Sequence, residues 1–201
     1  LSGQALVLNN IGYLHHLQGA HEAALVNLER ALDCGQRSGN TRTINYALIS
    51  MGDLFTDLEL WTAEQDVYQK ALPLTKQLNE QFLILSLELA LARLASLQEE
   101  WEAVYAHLEI ASNLVVSKKS GYEWGLYRLA VGHCNLLQNR IPDAIEPLED
   151  AKKYFKQPIK AASTAFLLCM AWHEAGDSKL AQTHLQQGLD LAMAMESDHA
   201  L

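Results

Sequence analysis

Two pairs of neighbouring residues are the first side chains in this sequence that could do chemistry. His15 and His16 are adjacent, and His173 is followed by Glu174. Such neighbours could bind a metal ion or exchange a proton. Both pairs lie in stretches with helical periodicity, where adjacent side chains point roughly 100° apart. Neither pair can therefore chelate an ion as a unit, and surface or packing roles explain these histidines more simply.

Cys34, Cys134 and Cys169 are the other reactive side chains. Their number is odd, they are far apart, and no CxxC is present, so neither a zinc site nor a disulfide framework is indicated. A reducing compartment fits this cysteine usage. We expect Cys134 and Cys169 to be small buried hydrophobic residues.

Catalytic motifs are absent from the sequence. It contains no glycine-rich phosphate loop, no HExxH and no GxSxG. The acidic run Glu99-Glu100-Trp101-Glu102 is more simply a solvated turn than a catalytic carboxylate pair. The sequence therefore predicts no active site, no metal and no cofactor, and a protein that is not an enzyme.

A small residue recurs at a fixed interval and defines the elements that position these side chains. Gly12 shares a helical face with Leu8 and His15. A glycine inside a helix costs about 1 kcal/mol relative to alanine. We expect the compensating gain to be a second helix that crosses closely over it. The crossing residues are Gly12, Gly52, Ala92, Gly132 and Cys169, with steps of 40, 40, 40 and 37.

Two further features stay in step with the crossing residues. Nineteen positions later stands another small residue, namely Ala31, Ala71, Ala111, Ala151 and Gly188. Three positions before that stands a large one, namely Leu28, Tyr68, Leu108, Leu148 and Leu185. Gly19 lies between the two helical patterns of the first copy, where a left-handed turn residue is expected. Each copy therefore predicts a helical hairpin, and a period of this length is typical of solenoids.

The spacing resembles the tetratricopeptide repeat (TPR), and the resemblance covers nearly the whole chain. The residues that carry it in the first copy are Leu8, Ile11, Gly12, His15, Ala24, Leu28 and Ala31. Three departures are visible. Leu8 stands at the place of the family's tryptophan, no proline follows Ala31, and Glu64 and Val104 replace the alanine of the second helix. The period is also about six residues longer than the usual 34, which implies longer helices.

The resemblance implies an all-α fold, a right-handed solenoid of helical hairpins with five TPR-like repeats and ten helices. We predict a single solenoid over residues 1–201, with repeats at roughly 1–40, 41–79, 80–120, 121–158 and 159–201. Lys118, Lys119 and Ser120 are predicted to end the third repeat. In the fourth repeat the second helix is predicted from Pro142 to Phe155, and the next helix from Ala161. The pattern is already under way at Leu1, so we expect a fragment of a longer protein.

Composition excludes two classes of partner. The formal net charge is −9, which disfavours direct binding of nucleic acid by this segment. No apolar run approaches the roughly 18 residues of a membrane span, so no membrane is expected. No signal peptide is recognisable, and we predict a cytoplasmic location.

The informative surface is the stripe at positions −3, +1 and +4 from each crossing residue, called the inner stripe below. We expect it to face away from the paired helix, and in TPR arrays the corresponding face lines a concave groove. Its members are Asn9, Tyr13, His16; Ile49, Asp53, Thr56; Leu89, Arg93, Ser96; Leu129, His133, Leu136; and Phe166, Met170, His173. The candidate partner-binding residues among them are Asn9, Tyr13, His16, Asp53, Arg93, His133, Phe166, Met170 and His173.

The stripe changes character along the chain, which leaves two interpretations open. It is polar or charged in the first three copies and apolar at Leu129, Leu136, Phe166 and Met170. These four either fill the seam between neighbouring repeats or anchor an apolar part of a ligand. The chaperone-tail site of some TPR relatives needs several basic and asparagine residues on this face. Only Asn9 and Arg93 suit it, so that ligand is disfavoured.

Two function classes fit these observations. The leading hypothesis is a non-enzymatic module for protein–protein interaction or ligand sensing. Long-period arrays of this kind resemble the sensor or effector-binding segments of large bacterial transcription activators, so the partner would be a protein, a peptide or a small-molecule inducer. The alternative is an adaptor or scaffold unrelated to transcription that holds a peptide or helix in its groove. Leu191, Met193 and Met195 leave apolar surface on the last helix. Either the parent protein continues there or this end packs on another copy, and we expect self-association of this fragment through that helix.

Overall fold

The computed structural model describes residues 1–116 and 121–198 of the chain. These residues form ten α-helices and no strand, which confirms the predicted all-α repeat fold. The predicted end of the third repeat at Lys118–Ser120 lies outside the described residues. The helices are α1 Ser2–Leu17, α2 His21–Ser38, α3 Thr41–Asp57, α4 Trp61–Leu78, α5 Gln81–Leu97, α6 Trp101–Val116, α7 Gly121–Leu137, α8 Ile141–Lys152, α9 Pro158–Glu174 and α10 Ser178–Asp198.

Helices that follow one another pack as hairpins, and the chain divides into two compact units. The units are Leu1–Ala90 and Leu91–Leu201, and the boundary falls inside α5. In the first unit α1 packs on α2 and α3 on α4. In the second, Ala92 and Ala95 of α5 meet Val104 of α6, α7 packs on α8, and α9 on α10.

At the three crossing glycines, a large side chain of the paired helix packs directly on the backbone of the first helix. A Cβ atom added to Gly12 would lie 2.7 Å from Cγ of Leu28 in α2. At Gly52 it would lie 2.1 Å from Cε1 of Tyr68 in α4, and at Gly132 it would lie 2.5 Å from Cγ of Leu148 in α8. These three large residues are fully buried. The predicted packing of a small residue against a large one is thus confirmed at all three glycines.

All five turns between paired helices have the same geometry. Gly19, Glu59, Glu99, Asn139 and Gly176 adopt positive φ angles of 72°, 56°, 59°, 56° and 84°. In the first turn the N–H of Gly19 donates to His16 at 2.9 Å and that of Ala20 to His15 at 2.9 Å. The same two bonds recur in the other four turns. This pattern is the Schellman motif, which satisfies the last carbonyls of a helix.

Successive hairpins stack through small and apolar side chains. Ala31 and Cys34 of α2 share a buried cluster with Ala47 of α3. Leu148 of α8 shares another with Leu168 and Ala171 of α9. In both stacks, the second helix of one hairpin therefore packs against the first helix of the next hairpin.

The predicted boundaries in the fourth and fifth repeats need correction. α8 ends at Lys152 rather than Phe155. The backbone N–H groups of Lys153 and Tyr154 donate to the carbonyl groups of Asp150 and Ala151, which lie three residues earlier instead of the four of an α-helix. α9 begins at Pro158 rather than Ala161. Proline suits the first turn of a helix because its missing N–H has no intrahelical acceptor there.

Candidate functional site

The inner stripe lies on the first helix of each hairpin, that is on α1, α3, α5, α7 and α9. The unit boundary divides it, so the part in Leu1–Ala90 and the part in Leu91–Leu201 are described separately.

In α1 the stripe combines one buried amide with two rings. Asn9 is buried, and its Oδ1 has no hydrogen-bond partner among the described residues. Tyr13 is exposed and meets the His16 ring edge-on, with 6.2 Å between the ring centroids. Nε2 of His16 lies 2.7 Å from Oδ2 of Asp57 in α3. This contact ties two neighbouring hairpins together on the stripe surface.

In α3 the stripe bonds to its own paired helix. Tyr68 of α4 donates a hydrogen bond from its hydroxyl to Oδ1 of Asp53 at 3.0 Å. Thr56 donates its hydroxyl to Oε1 of Glu64 at 2.7 Å. Glu64 is fully buried at the position where the TPR family has alanine. The threonine hydroxyl supplies a hydrogen bond that partly offsets the cost of burying this carboxyl group.

In the second unit the stripe holds a cation beside a histidine. Burial and the nearby charge of Arg93 lower the pKa of His133 from 6.5 to about 4. The imidazole is therefore neutral at pH 7, and the positive charge at this place belongs to Arg93. Next to them, burial raises the pKa of the Cys134 thiol, although its hydrogen bond with Ser96 and the charge of Arg93 offset part of that rise.

The apolar end of the stripe separates into packed and exposed residues. Leu129 and Leu136 pack against the buried cluster of Leu148, Leu168 and Ala171, so the seam interpretation holds for these two. Phe166 is half-buried, and a Cβ atom added to Gly188 of α10 would lie 2.7 Å from its Cε1.

Met170 and His173 lie outside this packing and are exposed. Of the apolar members, Met170 therefore presents the most surface to a ligand, being 57% exposed.

One premise of the sequence prediction is wrong at three places. Asp53, Thr56 and Phe166 touch the paired helix, so the stripe is not turned wholly away from it. At Asp53 and Thr56 the long side chains Tyr68 and Glu64 of α4 reach across to the stripe, a contact that the positions of the stripe residues along α3 do not indicate. The use of the nine stripe residues as a binding surface stays a prediction.

The sequence interpretation missed Asp57, which pairs with His16. It follows Thr56 by one position, and it would have been found if a charged partner for each stripe histidine had been sought.

It also missed a polar network between α7 and α8. There Trp124 donates its indole N–H to Asp150 at 2.9 Å, and Arg128 pairs with both Glu146 and Asp150. Burial opposes ionisation of Asp150, but the hydrogen bonds from Trp124 and Lys153 and the charges of Lys153 and Arg128 outweigh it. They lower the pKa of Asp150. The spacing of Glu146 and Asp150 by one helical turn was the available signal.

A cavity of about 490 Å³ lies among α2, α3 and α4, away from the inner stripe. Its walls include Leu32 and Gln36 of α2, Leu48 and Met51 of α3, and Lys70 of α4. The inner stripe consists of first-helix residues and therefore did not indicate this cavity, because seven of its eleven lining residues belong to the second helices α2 and α4.

The described residues contain neither a candidate metal site nor a helix that could span a membrane. No group of three or more histidine, cysteine, aspartate or glutamate side chains in residues 1–116 and 121–198 could hold a metal ion. No helix within these ranges is long and apolar enough to cross a membrane.

Known proteins of low sequence identity share this fold. Neither a family model nor a curated protein matches the sequence. Among solved structures, BtubC (BKLC) from P. vanneervenii matches with a TM-score of 0.64 and 14% identity, covering 94% of this chain and 80% of that one. A putative kinesin light chain from Podosopora anserina with nearly identical TPR-like repeats matches with a TM-score of 0.62 and 12% identity, covering 97% and 98%. These similarities show a TPR-like helical repeat fold.

Proposed function

We propose that this chain is a non-enzymatic protein-interaction module that binds a peptide or helix along its inner stripe. The observation that carries the proposal is the set of polar and charged stripe side chains on a TPR-like fold. In the first unit these are Tyr13, His16 and Asp53, and in the second Arg93 and His173. Side chains of this kind give specificity when they are held on a rigid scaffold.

The charges suggest what each unit would prefer. In the first unit Asp53 of the stripe and Asp57 beside it give this surface acidic character, which suits a basic group on a ligand. In the second unit Arg93 remains cationic while His133 is neutral at pH 7, which suits an acidic group. Each preference is local to its unit and is tested separately.

The biological setting that we propose is a bacterial transcriptional regulator in the cytoplasm, in which this array would sense a partner protein or a small-molecule inducer. The support is the long repeat period and its resemblance to such segments. The competing proposal is an adaptor or scaffold protein. Reading the gene upstream of the codon for Leu1 distinguishes the regulator from the adaptor. A nucleotide-binding motif or a DNA-binding domain supports the regulator, and an unrelated domain supports the adaptor.

Binding can be tested with a displayed peptide library selected against the purified chain. Enriched peptides are synthesised, and their affinity is measured by fluorescence anisotropy. We expect Asp53→Asn or Arg93→Gln to weaken binding of the corresponding peptides at least fivefold. The matched controls are Asp33→Asn on α2 and Lys76→Gln on α4, which remove the same charges from exposed positions. The amide oxygen introduced by Asp53→Asn can still accept the bond from Tyr68, so folding should be retained.

Two results would contradict the proposal. One is a selection in which no peptide is enriched. The other is a set of enriched peptides whose affinity is unchanged by both stripe substitutions but weakened by the control substitutions. The second result would move the site to the second helices.

A further inference from the structure

The cavity among α2, α3 and α4 is a deep apolar slot, called the α2–α4 slot below. Its volume is about 490 Å³. Its floor consists of Leu48 and Met51 of α3 and Val67 of α4, which are 4%, 8% and 5% exposed. The remaining apolar lining residues are half-buried, namely Leu32, Ile44, Phe55, Ala63 and Leu74. Because the floor is almost covered beneath a space of this size, the slot is deep and narrow rather than flat.

The equivalent positions of the fourth hairpin are occupied by a polar network. They lie two steps of 40 residues further along the chain, where Trp124 and Arg128 of α7 replace Ile44 and Leu48, and Glu146 and Asp150 of α8 replace Asp66 and Lys70. Trp124 donates its indole N–H to Asp150 at 2.9 Å. Arg128 lies over the Trp124 ring, with 5.8 Å between Cζ and the ring centroid, and pairs with both carboxylates. Side chains of α7 and α8 thus bond to one another at positions that line the slot in the second hairpin.

The equivalent space beside α9 is bridged by contacts between the second helices. Lys152 of α8 donates to Gln187 of α10 at 2.9 Å, and Nε2 of His184 lies 3.2 Å from Oε1 of Glu149. The positions of Leu32, Val67 and Lys70 in the slot are equivalent to those of Lys152, His184 and Gln187. Both contacts therefore join the two walls of that space.

In the α2–α4 slot the two walls are not joined at these positions. Leu32 has no polar group, and Lys70 pairs with Asp66 of its own helix at 2.5 Å. The slot therefore keeps an apolar interior beneath an exposed polar rim formed by Gln36, Asp66 and Lys70. An apolar cavity of this volume with a few polar groups is typical of a small-molecule site.

The shape of the slot limits what can enter it. An α-helix with its side chains is about 10–12 Å across. A helix would therefore rest on the rim and could not reach the floor, which is less than a tenth exposed. A linear aliphatic chain is slender enough to reach Met51 and Val67. From Ile44 to Phe55 the slot follows α3 for about 16 Å, which suits an aliphatic chain of medium length.

The rim disfavours a formal charge on the ligand. It carries the carboxylate of Asp66, the ammonium group of Lys70 and the amide of Gln36, so its formal charge is zero. A charged head group would compete with one member of the Asp66–Lys70 pair and leave the other without its partner. A hydroxyl group can accept a hydrogen bond from Lys70 or Gln36 and donate one to Asp66 without breaking the pair. An uncharged head group that both donates and accepts is therefore the best match.

We propose that the α2–α4 slot binds a linear aliphatic molecule of medium length with a hydroxyl head group. The aliphatic chain would cover Leu48, Met51 and Val67, and the hydroxyl group would bond at the rim. The site needs only the first unit, in which all three helices of the slot lie. It is independent of any peptide on the inner stripe, which uses other residues of α3.

Methionine methyl NMR tests the proposal, because one of the four methionines lies in the slot. Met51 is part of the floor, whereas Met170, Met193 and Met195 belong to the second unit. The full chain with isotope-labelled methionine methyl groups is titrated with octan-1-ol, and Met51→Leu identifies the Met51 signal. We expect a saturable shift of that signal and no shift of the other three. Met170 is a stringent internal control, since it is 57% exposed.

Three further probes test the chemistry of the ligand. Hexan-1-ol lacks two methylene groups and should bind about tenfold more weakly than octan-1-ol, because each buried methylene group adds to the affinity. Octanoate and octylammonium keep the chain length but carry a charge. Each should bind at least roughly fivefold more weakly than octan-1-ol, because it disturbs the ion pair at the rim.

A variant with a blocked slot provides the second test. Ala63→Trp places an indole on the wall of the slot and should abolish the saturable shift of Met51. The matched control is Ala23→Trp, at the equivalent half-buried position of α2, which does not line the slot. The control should bind octan-1-ol like the unmodified chain.

A second blocked variant keeps the test decisive if circular dichroism shows that Ala63→Trp is unfolded. It combines Leu48→Arg with Lys70→Asp and so copies the pair that Arg128 and Asp150 form in the fourth hairpin. This variant should fold and should not bind octan-1-ol.

Four outcomes would overturn the proposal. The first is a Met51 signal that does not move up to the solubility limit of octan-1-ol. The second is an equal shift of all four methionine signals, which indicates non-specific partition into the protein. The third is a folded blocked variant that binds like the unmodified chain. The fourth is an affinity for octanoate or octylammonium that equals the affinity for octan-1-ol, which excludes the hydroxyl head group.

Discussion

At the scale of single residues, the glycines at the crossings leave no room for a Cβ atom. The ring of Tyr68 occupies the space that a Cβ atom at Gly52 would need. The same tyrosine donates a hydrogen bond to Asp53, so the ring cannot move without losing it. A single methyl group at this place therefore disturbs both packing and a polar contact.

We expect Gly52→Ala to destabilise the chain by about 1–3 kcal/mol through overpacking, measured as a lower urea midpoint. Gly3→Ala is the matched control, because nothing lies within 4 Å of its added Cβ atom. In a helix that change should be neutral or stabilising by up to about 1 kcal/mol. Equal midpoints for Gly52→Ala and the unmodified chain would show that the crossing assignment is wrong.

The buried imidazole of His133 makes the stability of the folded chain depend on pH. Its pKa in the folded chain is about 4, below the ordinary value of 6.5, because burial and Arg93 disfavour the charged ring. The unfolded chain therefore binds the proton more tightly, and the stabilising contribution is complete only above pH 6.5. It is lost as the pH falls from 6.5 through 4.

We expect the free energy of unfolding to fall by on the order of 2–3 kcal/mol through His133 as the pH is lowered from about 7 to about 4. His133→Gln should flatten that part of the pH profile, and NMR titration of the imidazole reports the pKa directly. A ring that titrates near the ordinary value of 6.5 in the folded chain would exclude the buried environment described for it.

At the scale of elements, the turns keep one geometry with different residues. Glu59 and Glu99 adopt the left-handed conformation that Gly19 and Gly176 adopt at equivalent places. A residue with a Cβ atom pays roughly 1–2 kcal/mol for that conformation. The helices on either side, with their repeated Schellman bonds, therefore impose the turn against the local preference of glutamate.

We expect Glu59→Gly to raise the free energy of unfolding by about 0.5–1 kcal/mol, because relief of strain exceeds the added entropy of the unfolded chain. Gly19→Ala should act in the opposite direction, since its φ is 72°. Thermal melts of both variants measure the effect. Destabilisation by Glu59→Gly would mean that the glutamate side chain makes a contact worth more than the strain.

At the scale of the whole molecule, the prediction of one solenoid over residues 1–201 is tested at α5. This helix runs as Gln81–Leu97 across the boundary between the two compact units, and Arg93 lies inside it. In a continuous array a helix in this position is held on both sides by neighbouring repeats. Protease cleavage requires local unfolding, so the rate at Arg93 reports that support.

We expect native trypsin digestion to cut after Lys156, which is exposed between α8 and α9, well before it cuts after Arg93. Mass spectrometry of the early fragments identifies the sites. Early cleavage at Arg93 would indicate two bodies with a weak connection instead of one array.

The sequence by itself determined the features that depend on local spacing. The folded chain has the close helix crossings predicted at Gly12, Gly52 and Gly132, each with the predicted large residue opposite. It also has the predicted turns at Gly19, Asn139 and Gly176. They could be predicted because helical periodicity and turn chemistry act over a few residues. Five copies of the same pattern reinforce one another.

Only the tertiary structure decided the surroundings of the inner stripe. The contacts of Asp53 with Tyr68, of His16 with Asp57 and of Phe166 with Gly188 join residues of different helices. Whether such side chains meet depends on how far each helix is rotated about its axis and on the length and rotamer of the side chain. Spacing along one helix contains neither quantity, so the sequence located the stripe but not the partners of its residues.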